Sequence, residues 1–485
     1  MTLTGATRQP VSVPETLVNP YPMRYPDSRS RPVMTRRAWW LVVLNFLLPG
    51  SAQAAAGNSR LAKIGLGATL FLWVVVVAGV LAALLWRGAL VAIATNWFVL
   101  LLLQILFYLY AALWVVLTID TLRLTRIVRV APLARFGVLL LAIVLGVVSG
   151  GSAVYAANSA GAARGAITTI FGASAPVVPP SDGYYNILLL GADSGQGRDS
   201  MRFDSISVVS VNAATGALTI FGIPRDMPNV PFPADSPMHA LYPNGLQGHD
   251  SETCGWGAGI NQLTNAVQVC RDDQGKSLYP DAAANGSSPE IEATKDAAEG
   301  VLGIKIPYYV FFDMNGFAQL IDALGGIDIN VTERLPEGYG PLGNEPPEVW
   351  AKGWIEPGQQ HMDGNTAQWY ARSRYTTSDW DRMLRQRQLQ QAILAQFTPA
   401  NVMTRFQQVA AAGPDVVNTD LPQALLPTLI DLALKAKSQP VAAVELTPTS
   451  AGGIGIDPDN PDWDYIHQAV QQDLHPATPT PAANG

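Results

Sequence analysis

The chain has 485 residues, more than one ordinary domain, and its 31 basic and 38 acidic residues give a net charge of −7. Residues before Gly161 carry 13 Lys and Arg against 3 Asp and Glu, whereas the remainder carries 18 against 35. A basic, apolar first third joined to an acidic remainder predicts a membrane anchor that carries a soluble domain. The acidity of that soluble part argues against nucleic acid as a partner.

The first 160 residues divide into a tail and a membrane region. Residues 1–35 hold six prolines and lack apolar periodicity, which predicts a disordered cytoplasmic tail. In the membrane region, 36–160, stretches at about 64–86, 92–118 and 136–158 are free of charge. Each approaches or exceeds the roughly 20 residues that a spanning helix needs, so we predict three spans and contact with the lipid bilayer.

A fourth uncharged stretch, residues 38–59, is interrupted by Asn45, by Pro49-Gly50 and by Gln53. Basic residues flank it on both sides, which places both of its ends on the cytoplasmic face. We therefore predict a re-entrant or interfacial hairpin. Arginines at 123, 126, 129 and 135 mark a second cytoplasmic loop. Whether or not the hairpin crosses, this loop predicts a multi-pass cell-membrane protein whose C-terminal domain is extracytoplasmic.

Residues 161–182 form a predicted linker, 183–450 the soluble domain, and 451–485 an extension with a Pro- and Ala-rich tail. Apolar runs predict strands at 185–191, 205–211, 217–222, 308–312, 327–331 and 441–446. Helices are predicted at 294–302, 315–324, 366–372, 382–397, 402–411 and 424–434. The predicted fold class is α/β or α+β, with a central mixed β-sheet flanked by helices.

Five arginines lie within sixteen positions, at 372, 374, 382, 385 and 387. Arg382 and Arg385 share one face of the helix predicted there, with Leu389. Cations near a helix N-terminus oppose its macrodipole unless an anion lies between them, and guanidinium groups suit phosphate oxygens. The alternative is a solvated charged face whose arginines pair with Asp379 and Asp381.

Two aspartates flank predicted strand ends, Asp193 after the first strand and Asp204 at the start of the second. Carboxylates at neighbouring strand ends can share a hard cation such as Mg²⁺, which also takes phosphate oxygens. Turn-forming aspartates are the alternative. Arg225, in Ile223-Pro224-Arg225-Asp226, adds a further cation beside an apolar strand, and a surface ion pair is the alternative there.

The chain has two cysteines, Cys254 and Cys270, both in the second part. In an extracytoplasmic domain they can form one disulfide; the alternative is two buried free thiols.

Several blocks in order resemble the signature of the LytR-CpsA-Psr family over roughly residues 183–450. They are Gly191-Ala192-Asp193, Arg202-Phe203-Asp204-Ser205, Ile223-Pro224-Arg225-Asp226, residues 311–327, residues 358–364 leading to Tyr370-Ala371-Arg372-Ser373-Arg374, and Asp381-Arg382-Met383-Leu384-Arg385-Gln386. The resemblance implies a membrane-anchored phosphotransferase that moves a glycopolymer, such as arabinogalactan or a teichoic acid, from a polyprenyl-pyrophosphate carrier to peptidoglycan.

The resemblance also implies roles for single residues. Asp193 and Asp204 would hold Mg²⁺ or Mn²⁺, and Asp204 would also be a candidate base. The implied pyrophosphate-binding set is Arg202, Arg225, Arg372, Arg374, Arg382, Arg385 and Gln386. Of these, Arg225, Arg372 and Arg374, with Asp204, are the candidate catalytic residues. Arginines and one cation would neutralise the charge of a transferred phosphoryl group.

The sequence departs from the family pattern at Asp204-Ser205, where Asp-Thr is usual, and at Gly259-Ile260-Asn261-Gln262, which lacks the usual lysine. His239, His249 and Glu252 lack the tight spacing of metal ligands. Two other functions stay open: a non-catalytic protein that binds and senses a polyprenyl-pyrophosphate lipid, and a pyrophosphatase that uses water as the acceptor.

Overall fold

A computed structural model describes residues 23–86, 90, 93–171, 177–192, 202–270, 278–338, 340, 345–396 and 417–476. The chain divides into two compact units. One contains Met1–Leu85 and Leu102–Ala160, and the other contains Trp86–Leu101 and Gly161–Gly485. We refer to them as the anchor unit and the soluble unit.

The helices at the start of the chain are α1 (Arg31–Leu47), α2 (Ser51–Ala56), α3 (Ser59–Leu85), α4 (Trp97–Thr125) and α5 (Pro132–Ile170). Among the described residues, three helices are long and apolar enough to cross a membrane, at Ser59–Leu85, Trp97–Arg129 and Pro132–Gly165. They coincide with the three predicted spans. The last helix continues to Ile170, so the predicted linker is helical at its start.

The predicted hairpin is formed by α1 and α2. The chain turns at Gly50, which has a φ of +95° and lies against the backbone of α3, where a Cβ would come within 2.7 Å of Leu66 N. Gln53 is fully buried and donates to Leu117 O and Thr121 Oγ1, both at 3.0 Å. The side-chain amide nitrogen of Gln53 therefore finds two partners inside the anchor unit.

Strands of the soluble unit were expected from compact apolar runs, and the structure contains them, five in the main sheet and the strand at 327–331 in a separate two-stranded ribbon. The strands are β1 (Tyr184–Ala192), β2 (Phe203–Asn212), β3 (Leu218–Ile223), β4 (Tyr308–Asp313), β5 (Ile327–Val331), β6 (Leu335–Glu337), β7 (Gly353–Ile355), β8 (Gly358–Met362), β9 (Val417–Thr419) and β10 (Ala442–Glu445). The main sheet has the order β10-β3-β2-β1-β4-β9. Its β1–β4 and β10–β3 pairs are parallel and the others are antiparallel, so the predicted mixed sheet is confirmed.

The helices of the soluble unit are α6 (Pro237–Leu241), α7 (Pro289–Leu302), α8 (Met314–Leu324), α9 (Pro347–Trp350), α10 (Gly364–Arg372), α11 (Asp379–Gln396), α12 (Leu426–Ala436) and α13 (Trp463–Leu474). Because side chains alternate along a strand, Leu188 enters the core that contains α7 and α13, and Ile187 packs with Leu425 on the other face. Helices therefore cover both faces of the sheet.

A second apolar cluster joins α8, α10 and α11 to the β5–β8 ribbon. Its centre contains Ile321, Ile329, Tyr370 and Leu389. This cluster fixes the position of the two helices that carry the arginine-rich stretch.

The structure differs from the sequence-based expectation at the ends of the soluble domain. Helix α13 lies beyond the predicted boundary at 450, yet its Ile466 and Val470 are fully buried in the main core. The domain therefore extends to the end of α13. The predicted helix at 402–411 lies outside the described residues. Cys254 and Cys270 form a disulfide, which confirms the predicted pairing.

Candidate functional site

Asp204 is positioned by an irregularity between β1 and β2. Gly191 pairs with Ser205, but Ala192 pairs with Phe203, so Asp204 is skipped by the register. Such bulges redirect a side chain out of the regular alternation and recur near active sites. The Asp204 side chain, 24% exposed, lines a cleft at this end of the sheet.

Arg225 enters the same cleft from the end of β3. Its Nη1 lies 2.5 Å from Asp204 Oδ1, its Nε lies 3.3 Å from Asp226 Oδ2, and its Nη2 lies 3.6 Å from Asp379 Oδ1. Pro224 ends the strand immediately before it, because proline has no N–H for the sheet. Arg225 is thus surrounded by three carboxylates.

Arg372 and Arg374 lie at the end of α10. The helix begins with Asp363, whose carboxylate accepts from Thr366 N at 2.8 Å, and its last residue is Arg372. Ser373 is buried and donates to Pro336 O at 3.0 Å, which fixes the chain between the two arginines. The Arg372 guanidinium lies 5.4 Å from the centre of the Trp369 ring.

Helix α11 contributes Arg382 and Gln386, one turn apart. Arg382 Nη2 lies 2.9 Å from Asp379 Oδ2, and Gln386 Nε2 donates to Ala371 O at 3.2 Å. Residues four apart share a helix face, so both side chains point into the cleft. Asp381 instead accepts from Ser378 N at 2.8 Å and caps the helix.

The cleft has a volume of about 430 Å³ and brings together residues from segments far apart in the chain. Its charged lining consists of five arginines and two aspartates, namely Arg202, Arg225, Arg372, Arg374, Arg382, Asp204 and Asp226. Uncharged polar residues in the lining include Asn261, Gln262 and Gln386. The lining therefore carries an excess of positive charge, which favours an anion with several oxygens.

The pKa values of Arg225 and Arg382 shift in opposite directions, because the charges around the two side chains differ. Burial and the nearby Arg225 guanidinium lower the pKa of Arg382. For Arg225, burial also acts to lower the pKa, but Asp379, Asp204 and Asp226 outweigh it and raise the pKa above its ordinary value. An added anion therefore stabilises the charged form of Arg382 more than the charged form of Arg225.

Arg385, which the sequence assigned to the pyrophosphate-binding set, turns away from the cleft into the protein. It is 5% exposed, its Nε donates to Tyr370 O at 3.1 Å, and its Nη2 donates to Ser373 O. Its Nη1 lies 3.0 Å from Glu333 Oε1. These contacts hold the backbone that carries Arg372 and Arg374, so the structure places Arg385 behind the cleft.

Other candidates can be placed as follows. Asp193 lies outside the described residues. Leu389, predicted on the same helix face as Arg382 and Arg385, is buried in the second apolar cluster. Among the described residues, no group of three or more His, Cys, Asp and Glu side chains could hold a metal ion.

Asp379, which pairs with arginines of the cleft, and Asn261, which lines the cleft, were not assigned to the site from the sequence. Asp379 Oδ1 lies 3.7 Å from Arg374 Nη1, in addition to its contacts with Arg225 and Arg382. Asn261 is 6% exposed and donates to Asp226 Oδ1 at 2.8 Å. Asn261 belongs to Gly259-Ile260-Asn261-Gln262, the block that departs from the family pattern. That location was the one sequence feature that could have pointed to Asn261.

The oxygen atoms that could bind a divalent cation in the cleft include those of Asp204. Asp204 offers a hard oxygen ligand inside the cleft, although one of its oxygens is paired with Arg225. Mg²⁺ commonly takes only one or two protein carboxylates together with phosphate oxygens and water. Asp204 therefore fits as a ligand to a phosphate-bound cation, and Asp193 lies outside the described residues.

The fold and the cleft together define a mixed α/β protein with three membrane-length helices and an arginine-lined cleft. The sequence profile described as the LytR_cpsA_psr family matches residues 154–243 and 277–470, more than half of the chain. The chain belongs to the LytR-CpsA-Psr family.

Two curated proteins and one solved structure illustrate the similarity. The chain is 27% identical over 241 residues to the polyisoprenyl-teichoic acid–peptidoglycan teichoic acid transferase TagU of Bacillus cereus, covering 49% of this chain and 61% of that protein. It is 26% identical over 243 residues to biofilm regulatory protein A of Streptococcus mutans, covering 49% and 50%. The crystal structure of B. subtilis TagV aligns with a TM-score of 0.40 at 21% identity, covering 60% of this chain and 97% of that chain.

Proposed function

We propose that this protein is a phosphotransferase that moves a glycopolymer from a polyprenyl-pyrophosphate carrier to peptidoglycan. The polymer would be arabinogalactan or a teichoic-acid-like chain. The observation that carries the proposal is the convergence of Arg202, Arg225, Arg372, Arg374 and Arg382 on one cleft. Membership of the LytR-CpsA-Psr family and the printed name of the Bacillus cereus relative support it.

A pyrophosphate diester explains why so many cations are held together. Arg382 is nearly buried, and among the described residues Asp379 is the carboxylate that pairs with it directly. Leaving a buried guanidinium with a single carboxylate beside several other cations is costly. Phosphate oxygens accept charge-assisted hydrogen bonds from guanidinium groups, so a bound pyrophosphate would relieve the repulsion.

In the proposed reaction, a hydroxyl oxygen of a peptidoglycan sugar attacks the phosphorus that carries the glycopolymer. A new phosphorus–oxygen bond forms, the bond to the bridging pyrophosphate oxygen breaks, and polyprenyl phosphate leaves. Asp204 is the proposed acceptor of the hydroxyl proton. The arginines stabilise the charge on the transferred group and on the leaving phosphate, and the protein makes no covalent bond to the phosphorus.

We propose that Mg²⁺, or Mn²⁺, binds through Asp204 and phosphate oxygens of the substrate. When bound, the cation would withdraw charge from the phosphate oxygens. Binding can be tested without turnover, by the broadening of the Mn²⁺ electron paramagnetic resonance signal in the presence of a pyrophosphate lipid. Asp204→Asn is expected to weaken Mn²⁺ binding at least about tenfold, or about 1.4 kcal/mol. Unchanged binding would remove Asp204 from the cation site.

The proposal places the soluble unit outside the cell membrane. The three membrane-length helices and the arginines at 123, 126, 129 and 135 support a cytoplasmic loop before the last helix. The disulfide between Cys254 and Cys270 is in keeping with an oxidising compartment.

The test uses the full-length protein in detergent with a polyprenyl-pyrophosphate-linked glycopolymer, Mg²⁺ and peptidoglycan. Release of polyprenyl phosphate and attachment of polymer to peptidoglycan are measured together. Arg372→Ala is expected to abolish both while the protein stays folded. Arg334→Ala is the matched control, because Arg334 is 48% exposed and pairs with Glu356 elsewhere on the domain.

Other outcomes separate the competing functions. Binding of the lipid without release of polyprenyl phosphate, with peptidoglycan present, would contradict the transferase and favour a sensing role, as the name of the Streptococcus mutans relative suggests. Release that is unaffected by peptidoglycan and leaves no polymer attached to it would favour a pyrophosphatase.

A further inference from the structure

Two aromatic side chains meet at the rim of the arginine-lined cleft. Tyr375, the residue after Arg374, lines the cleft and is 51% exposed. Its ring centre lies 4.6 Å from that of Trp350, with the rings at 60°. Tyr375 thus places an exposed aromatic ring beside an arginine proposed to bind phosphate.

Both rings are held in place through their polar atoms. The indole Nε1 of Trp350 donates to Glu345 O at 3.2 Å, and the Tyr375 hydroxyl accepts from Gly340 N at 2.9 Å. A Cβ at Gly340 would lie 2.5 Å from the Tyr375 ring, so the close approach depends on glycine there. With their polar atoms engaged, the rings present a fixed apolar surface.

The other aromatic side chain of the lining, Trp369, has a different use, because its ring lies under the Arg372 guanidinium. Tyr375 follows Arg374 in the lining, and the exposed Lys352 lies near Gly338, another residue of the lining. An isoprenoid chain needs an extended aliphatic surface, which a lining rich in arginine does not offer. A sugar ring suits such a rim, since its C–H face packs on an aromatic face while its hydroxyl groups reach polar neighbours.

We propose that Tyr375, supported by Trp350, is the binding subsite for the sugar attached to the pyrophosphate of the donor lipid. This inference rests on the proposed function, because the arginines must hold the pyrophosphate for the sugar to reach the rim. Tyr375 follows Arg374 directly, so a ligand held by that arginine has its next group within reach of the ring.

The test compares two probes in binding to the full-length protein, farnesyl pyrophosphate and a farnesyl-pyrophosphoryl hexosamine. Tyr375→Ala is expected to weaken binding of the hexosamine probe about fivefold to tenfold and to leave binding of farnesyl pyrophosphate unchanged. Tyr375→Phe keeps the ring and is expected to retain most of the affinity. Tyr465→Ala, at a 44% exposed tyrosine of α13, is the control.

Equal loss for both probes, or no loss for either, would overturn the sugar subsite while leaving the proposed function in place. A second variant, Trp350→Ala, is expected to show the same selective loss, which guards against a folding defect specific to Tyr375→Ala. If the unmodified protein binds neither probe, the proposed function itself fails, and the subsite fails with it.

Discussion

Arg382 Nη2 lies 2.9 Å from Asp379 Oδ2, across one turn of α11, while the arginine side chain is only 6% exposed. The same carboxylate faces Arg225 at 3.6 Å and Arg374 at 3.7 Å. One aspartate therefore lies among three guanidinium groups that come from two distant parts of the chain. This arrangement keeps the cations close together and leaves them with unused capacity for an anion.

Asp379→Asn is expected to lower the free energy of unfolding by about 1–2 kcal/mol, because three cations then lack their shared carboxylate and Asp379 is partly exposed. Pyrophosphate is expected to restore stability, since it supplies the missing negative charge. The measurement is the thermal unfolding midpoint with and without pyrophosphate. Asp381→Asn, which removes a helix cap from the same turn, is the control. The same rise with pyrophosphate in both variants would contradict the shared role of Asp379.

Arg385→Ala is expected to destabilise the protein by about 2–4 kcal/mol, because the carbonyls of Tyr370 and Ser373 and the Glu333 carboxylate lose a buried partner. Arg382→Ala is expected to lower the free energy of unfolding by less than Arg385→Ala does, and to weaken pyrophosphate binding by more. Denaturant unfolding and pyrophosphate titration on the same samples distinguish the two. A stable Arg385→Ala variant with strongly reduced pyrophosphate affinity would place Arg385 in the binding set after all.

Reduction of the Cys254–Cys270 disulfide is expected to lower the free energy of unfolding by about 3 kcal/mol, given a sequence separation of 16 residues. Denaturant unfolding with and without a reductant measures the change. The Cys254→Ser, Cys270→Ser double variant should have the stability of the reduced protein and no response to reductant. If the reductant still lowers the free energy of unfolding of the double variant, the loss of stability does not come from this disulfide.

Stability should depend on pH through Asp296. Burial raises the pKa of Asp296 above its ordinary value of 3.8, against the hydrogen bonds from Ser236 and Tyr279 that act to lower it. The folded state therefore binds this proton more tightly than the unfolded state, and stability falls as pH rises from below 3.8 through the folded pKa. Asp296→Asn cannot ionise, so its stability relative to the unmodified protein should rise as the pH increases through the folded pKa of Asp296. Denaturant unfolding at several pH values measures this; a difference that is constant or falls with pH would contradict it.

Much of the fold follows from local pattern. The charge-free stretches predicted α3, α4 and α5, and compact apolar runs predicted β1 to β5 and β10. The short strands β6 to β9 escaped prediction because three to five residues, often polar, carry too little periodicity. Helix α13 was missed because residues 451–485 were interpreted as an extension with a Pro- and Ala-rich tail.

The candidate site was predicted in part, because the type of a residue indicates its chemistry but not the direction in which its side chain points. Arg382 and Arg385 are three positions apart, which leaves about 60° between them on a helix. That angle suffices for Arg382 to face the cleft while Arg385 reaches the carbonyls of Tyr370 and Ser373. The role of Asp379 also depends on Arg225, more than a hundred positions away, and no local pattern indicates that contact.

The most direct test of the anion site is an experimental structure of the full-length protein with a bound polyprenyl pyrophosphate. We expect phosphate oxygens within about 3 Å of guanidinium nitrogens of both Arg372 and Arg382. A pyrophosphate bound elsewhere, with Asp379 still the sole anion beside Arg382, would contradict the account.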